Sequence, residues 1–162
     1  MADLIILVPI AYLAILSVPL AITDFREHRL PNPMTISAIA VTLTSLIALA
    51  IFTSGWIGPM AGLLSGGFTF WIGLLLAKRD AIGMGDVKLL TSLNAIAAYF
   101  SPVLAAISLT AGLVLATLAS GVLMVFKKIT LKASLPLGPY LLLGFFICVG
   151  PSVYMLTAEA LS

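Results

Sequence analysis

The sequence predicts an all-α membrane protein: a polytopic bundle of six transmembrane helices, with a short fourth helix and both termini outside. Three observations carry this reading. The 162 residues are 62% hydrophobic and only 9% charged, far from the charged fraction of about 25% typical of soluble domains. Apolar runs recur at lengths near the roughly 20 residues that a helix needs to cross the hydrocarbon core. Every lysine and arginine falls in or beside alternate connections between those runs, the bias that marks cytoplasmic loops. Six crossings nearly exhaust the chain, so residues 1–162 are expected to form a single transmembrane domain with no soluble domain beside it.

The first run, Leu4 to Thr23, lacks the basic start of a cleavable signal peptide and carries Asp3 instead, so it reads as a retained helix. After it comes "DFREHRLPNPMT" (24–35). There Asn32 before Pro33 reads as an N-cap with proline at the first helical position, and Pro31 stiffens the approach. The second run, Met34 to Thr53, and the third, Ile57 to Ala77, are joined by the uncharged "TSGWIG", whose Trp56 suits an interfacial anchor. Gly58, Gly62 and Gly66 give the third run a smooth face for close helix packing, and Gly112, Ala116 and Ser120 do the same for the fifth.

The fourth run, Val87 to Phe100, is short, at about 14 residues or roughly 21 Å of helix. Merging it through Ser101 and Pro102 into the fifth, Val103 to Phe126, would put Lys127, Lys128 and Lys132 on the outer face. Charge placement therefore favours two separate crossings. The sixth run, Leu137 to Thr157, holds the lone cysteine, Cys148, which excludes an internal disulfide and suits packing. No internal repeat suggests an inverted-repeat transporter, and nothing points to a nucleic-acid partner.

This topology sorts the acidic residues by depth. Asp24 ends the first span and Asp86 opens the fourth, both on the cytoplasmic side. Glu27 and Asp80 share that side but sit among loop cations, as solvated partners. Asp24 and Asp86 each abut an apolar span, where an ionisable group is costly and so becomes a functional candidate; the alternative is a charge that marks a helix end, favoured for Asp86 at a helix N-terminus. Two aspartates at one depth suggest a definite chemistry. If they flank one water, repulsion keeps one carboxyl protonated while the other takes a proton from the water, which attacks a peptide carbonyl. Lys88 opposes that retention if it points inward. Gly83 and Gly85 would let protein backbone lie close to an extended substrate, or take positive φ without steric penalty.

Taken together, Asp24 with "RLPN", then "GMGDVKLL" (83–90) and "PLGPYLLLG" (136–144) resemble the type IV prepilin peptidases, membrane aspartic proteases of the GxGD class. The resemblance covers nearly the whole chain. It implies that Asp24 and Asp86 are the catalytic pair, with no cofactor or metal, and that Pro31, Asn32, Gly83, Gly85, Lys88, Pro136, Gly138 and Pro139 bind the substrate or support the motifs. It implies a prepilin or pseudopilin partner, cut at the cytoplasmic face of a prokaryotic inner membrane between a basic leader and the apolar helix that follows, with pilus assembly machinery nearby. Longer members carry a cytoplasmic domain, often with paired cysteines, that accompanies N-methylation. Without such an insertion the chain looks like the short form of Flp or Tad-type systems, and methyltransferase activity is not expected. Leu137 departs mildly from the commoner "PFGP".

Three rivals stand beside this reading. A metalloenzyme would hold its metal with His28, four residues after Asp24, together with Asp24 and Asp86, although a single histidine makes a weak zinc site. A small proton- or cation-coupled transporter would use Asp24, Asp86 and the intramembrane Asn94 as a relay. An inactive assembly partner would need a lost motif residue, and none is lost.

Overall fold

The computed structural model describes residues 2–27, 29–80, 82–126 and 136–161. After a 3₁₀ turn at Ala2–Ile6 come six helices: α1 (Leu7–Glu27), α2 (Asn32–Phe52), α3 (Ile57–Ala77), α4 (Met84–Phe100), α5 (Pro102–Val125) and α6 (Gly138–Leu161). The described residues hold no strand. Five of the helices are long and apolar enough to cross a membrane, and side chains such as Ile15, Leu64, Leu118 and Ile147 are exposed on their outer faces, where lipid replaces water. The polytopic helical bundle expected from the apolar runs is the observed architecture.

The exception among the crossings is α4, whose 17 residues span only about 26 Å. It begins earlier than the apolar run does, because "MGD" is already helical. It ends at Ser101, whose extended backbone (φ −166°, ψ 135°) breaks the chain direction and whose Oγ accepts the Val103 N–H at 3.2 Å to cap α5. Two separate helices follow, as charge placement requires. The short length of α4 has a packing reason. It lies against α2, α3, α5 and α6, and Val87, Leu89, Leu93, Ala95, Ile96 and Ala98 bury its flanks on several sides. A helix surrounded by other helices need not match the bilayer, since its neighbours supply the apolar surroundings.

Small residues let these helices approach. A Cβ on Gly62 would lie 2.7 Å from the Ala95 carbonyl oxygen, and one on Gly66 would lie 2.9 Å from the Ala95 Cβ, so this face of α3 is seated on α4. Gly112 meets Leu141 and Gly144 in the same way between α5 and α6. One polar clamp reinforces the α3–α4 contact: the Asn94 amide donates to Ser65 Oγ at 2.8 Å and to Thr69 Oγ1 at 2.5 Å. The relay role considered for Asn94 has this competing employment. Buried hydroxyls bond within their own helices, Thr42 to the Ala38 carbonyl and Thr91 to that of Val87, both at 2.8 Å, so these side chains ask nothing of the membrane.

Adjacent glycines on α3 therefore have opposite roles, because a Cβ on Gly67 would meet nothing within 4 Å. Gly66→Leu is expected to cost about 1–3 kcal/mol through overpacking, whereas Gly67→Leu leaves stability unchanged or slightly raised. Thermal unfolding in detergent distinguishes the two; equal midpoints would refute the assignment of the Gly66 face.

Candidate active site

Asp24 lies on the last turn of α1, which continues to Glu27 instead of stopping at Thr23. Its carboxylate is 3% exposed, and Oδ2 accepts the backbone N–H of Gly138 at 2.9 Å. Gly138 is the first residue of α6, so the bond sets an acceptor oxygen at the positive end of a long helix. The next residue, Pro139, occupies the first turn, where its missing N–H leaves no helical bond unmade. Pro136 and Pro139 are both buried, and the Leu137 carbonyl accepts the Leu141 N–H at 3.1 Å, which starts the α6 ladder. Leu137, the departure from the commoner motif, packs partly buried against the core.

Asp86 stands in the first turn of α4, one residue ahead of the apolar span that begins at Val87. Its carboxylate folds back over Gly83, where a Cβ would approach Oδ2 to 3.1 Å. Asp24 and Asp86 face one cleft of about 260 Å³, lined also by Arg29, Leu30, Asn32, Gly83, Met84 and Gly85. Burial first, and then the negative charge of Asp24, push the Asp86 carboxyl up to about 6. These two effects outweigh the helix N-terminus, which alone would favour the ionised form.

Two expectations about the supporting residues are corrected. Asn32 does not cap α2. Pro31 holds the cap position (φ −64°, ψ 126°), its carbonyl accepts the Thr35 N–H at 3.2 Å, and no side chain caps the helix. The Asn32 side chain is taken elsewhere: its Oδ1 accepts the Lys88 ammonium at 2.7 Å. That bond ties the start of α2 to α4 and directs Lys88 to Asn32. For the glycines of "GMGD" it is the positive φ that is not found. No described glycine has positive φ, and Gly83 is extended (φ −66°, ψ 140°) at the N-cap of α4. At Gly85 the close approach is to the protein itself, because a Cβ there would stand 2.8 Å from the Leu30 Cβ.

Leu30 is the residue that sequence reasoning missed. It is 8% exposed, and besides crowding Gly85 it sets its Cδ2 where a Cβ on Gly138 would come within 3.2 Å. A single leucine thus wedges the α1–α2 link between the starts of α4 and α6. Its traces in the sequence are its place in the "RLPN" motif and its position as an apolar residue between Arg29 and Pro31. Arg29 and Met84 also line the cleft and were not singled out. His28, Lys127, Lys128 and Lys132 lie outside the described residues, so the metal site built on His28 has no geometry here. Among the described residues no three His, Cys, Asp or Glu side chains gather in a metal-holding group.

The fold and site define a helical membrane protein whose two aspartates, distant in the chain, meet in one cleft. Residues 11–125 match the family model of the type IV leader peptidases, and the chain belongs to that family. Over 78 residues it is 36% identical to the prepilin leader peptidase/N-methyltransferase of Klebsiella pneumoniae, a match that covers 47% of this chain and 34% of that protein. The match thus spans about a third of the length of this curated relative. No solved structure matches the chain significantly.

The Leu30 wedge has a measurable signature. Gly85→Ala is expected to destabilise the protein by about 1–3 kcal/mol through overpacking, and Leu30→Gly in the same chain, which removes the Cβ that the new methyl group would strike, recovers part of that loss. Strictly additive midpoint changes in the double-mutant cycle would show that the two residues do not meet.

Proposed function

We propose that this protein is an aspartic endopeptidase that removes the leader from a type IV prepilin or pseudopilin. The observation that carries the reading is the shared cleft of Asp24 and Asp86. In the proposed reaction Asp24, held by the Gly138 N–H at the positive end of α6, is the carboxylate that takes a proton from the attacking water. Asp86, whose proton is retained up to about pH 6, donates to the peptide carbonyl oxygen as the tetrahedral intermediate forms. Breakdown of that intermediate expels the amine, which leaves protonated, and the pair is restored with one proton between two carboxyls. Asn32, Gly83 and Gly85 frame the cleft in which the scissile peptide lies extended.

Support for a cytoplasmic site comes from the cations at this end of the bundle. Arg26 closes α1, Arg29 lines the cleft, and Lys78 and Arg79 follow α3 just before α4 begins. By the positive-inside bias, the proposed site faces the cytoplasm at the inner membrane of a prokaryote. We assign the chain proteolysis alone. α1 and α2 are joined by residues 28–31, too short a link for an inserted domain, and a single cysteine builds no cysteine cluster. A short-form enzyme of Flp-like systems fits these features. The rival transporter relay is less favoured because both aspartates gather at one end of the bundle, while the Asn94 amide is committed to Ser65 and Thr69.

Co-expression with a candidate prepilin tests the assignment. Asp24→Asn and Asp86→Asn are each expected to abolish processing while the protein still inserts in the membrane; processing that survives either change removes the dyad mechanism. The titration of Asp86 adds a pH test. With a carboxyl near 6, the singly protonated pair is depleted as pH rises, so the cleavage rate in detergent should fall about tenfold per unit well above that value. A rate that climbs steadily from pH 6 to pH 8 would contradict the assigned acid.

A further inference from the structure

Beside the cleft lies a second cavity of about 360 Å³, and its walls are almost entirely apolar. Ile39, Thr42 and Leu43 of α2 form one side, Leu63, Gly67 and Phe70 of α3 the other, and Thr91 and Ala95 of α4 contribute to the floor. Beside the groove α2 and α3 touch at Leu46 and Gly62, where a Cβ on the glycine would come within 3.1 Å of the leucine. Leu43 and Phe70 are partly exposed along it.

Three properties identify what fits there. The polar groups of the walls are already satisfied, since Thr42 and Thr91 donate to carbonyls of their own helices; the occupant needs no hydrogen-bonding side chains. The groove lies at membrane depth between helices that cross the bilayer, so a peptide in it must satisfy its own backbone and be helical. The groove also reaches the proposed active site. Lys88 lines its inner end and gives its ammonium to Asn32, which lines the cleft of Asp24 and Asp86. Along α4, Lys88 to Ala95 spans about 11 Å, or two helical turns.

We infer that this groove seats the first turns of the substrate's apolar helix, on the C-terminal side of the cut bond, and that the Lys88–Asn32 hydrogen bond is the sill the chain crosses to reach the aspartates. The inference rests on the peptidase reading and deepens it: the substrate is unwound at the cleft and helical beyond the sill. Gly62, Gly66 and Gly67 all line the groove, and of these Gly67 is the one where a Cβ would meet nothing within 4 Å.

Gly67→Phe fills the groove without touching the fold, since a Cβ there meets nothing, and Gly121→Phe is a matched control on α5 with equally open surroundings. With a purified prepilin that carries its apolar helix, Gly67→Phe is expected to raise KM by about tenfold or more while kcat stays within about twofold. Cleavage of a peptide truncated before that helix stays at the parental rate, and Gly121→Phe matches the parent on both substrates. A photo-crosslinking benzoylphenylalanine at Phe70 is expected to capture the prepilin helix. Equal behaviour of Gly67→Phe and Gly121→Phe overturns the inference, as does crosslinking at Phe70 to a second copy of the chain or to lipid alone. If Asp86→Asn is inactive and Gly67→Phe behaves as parent, the groove assignment fails and the dyad stands; if Asp86→Asn still cleaves, both fall.

Discussion

The bond from the Gly138 N–H to the buried Asp24 carboxylate is the interaction on which the arrangement at this end of the bundle depends. A carboxylate with 3% exposure at the end of a membrane helix is costly to hold. Here the cost is offset by a donor that α6 leaves over at its start, and by the positive end of that helix. The consequence is positional. Asp24 is fixed to the beginning of α6, and α6 packs on α1, α4 and α5, so the aspartate sits in a frame made by most of the molecule.

Leu30 completes that frame. It presses on Gly85 from one side and on Gly138 from the other, so the segments bearing Asp24 and Asp86 are brought together by an apolar contact as well as by polar ones. The Lys88–Asn32 bond adds a second tie between α2 and α4. Close approach is possible because Gly85 and Gly138 carry no side chain at the two places where Leu30 arrives. The glycines of the motif thus act by the room they leave for a neighbouring loop, and the result is a cleft whose walls come from α1, α2, the link between them and α4.

Much of this was legible in the sequence, for identifiable reasons. The bilayer imposes one dominant length and polarity on its helices, so the runs beginning at Ile57 and ending at Ala77 or Phe100 coincide with helix limits. The cations at Arg26, Arg29, Lys78 and Arg79 separate one end of the bundle from the other, which was enough to put Asp24 and Asp86 at the same end. What escaped were contacts across the chain. Asn32 before Pro33 has the local form of a cap, yet its oxygen goes to Lys88, a partner that only the packing of α2 on α4 reveals. Leu30 has no periodicity to betray it, because it belongs to a link and buries itself between helices far away in sequence. The Gly58, Gly62 and Gly66 face was recognisable as a packing surface, but nothing in its spacing says that α4 occupies it and leaves Gly67 bare.

The burial of α4 among four other helices also bears on how the protein meets membranes of different thickness. Mismatch acts on surfaces that touch lipid, and it is relieved by tilting or by local deformation of the bilayer. The five longer helices supply most of that surface, whereas α4 is referenced to protein. Asp86 rides on α4 and is therefore held at a depth set by neighbouring side chains. A thicker or thinner membrane would change the lean of the outer helices before it altered the spacing of the two carboxyls.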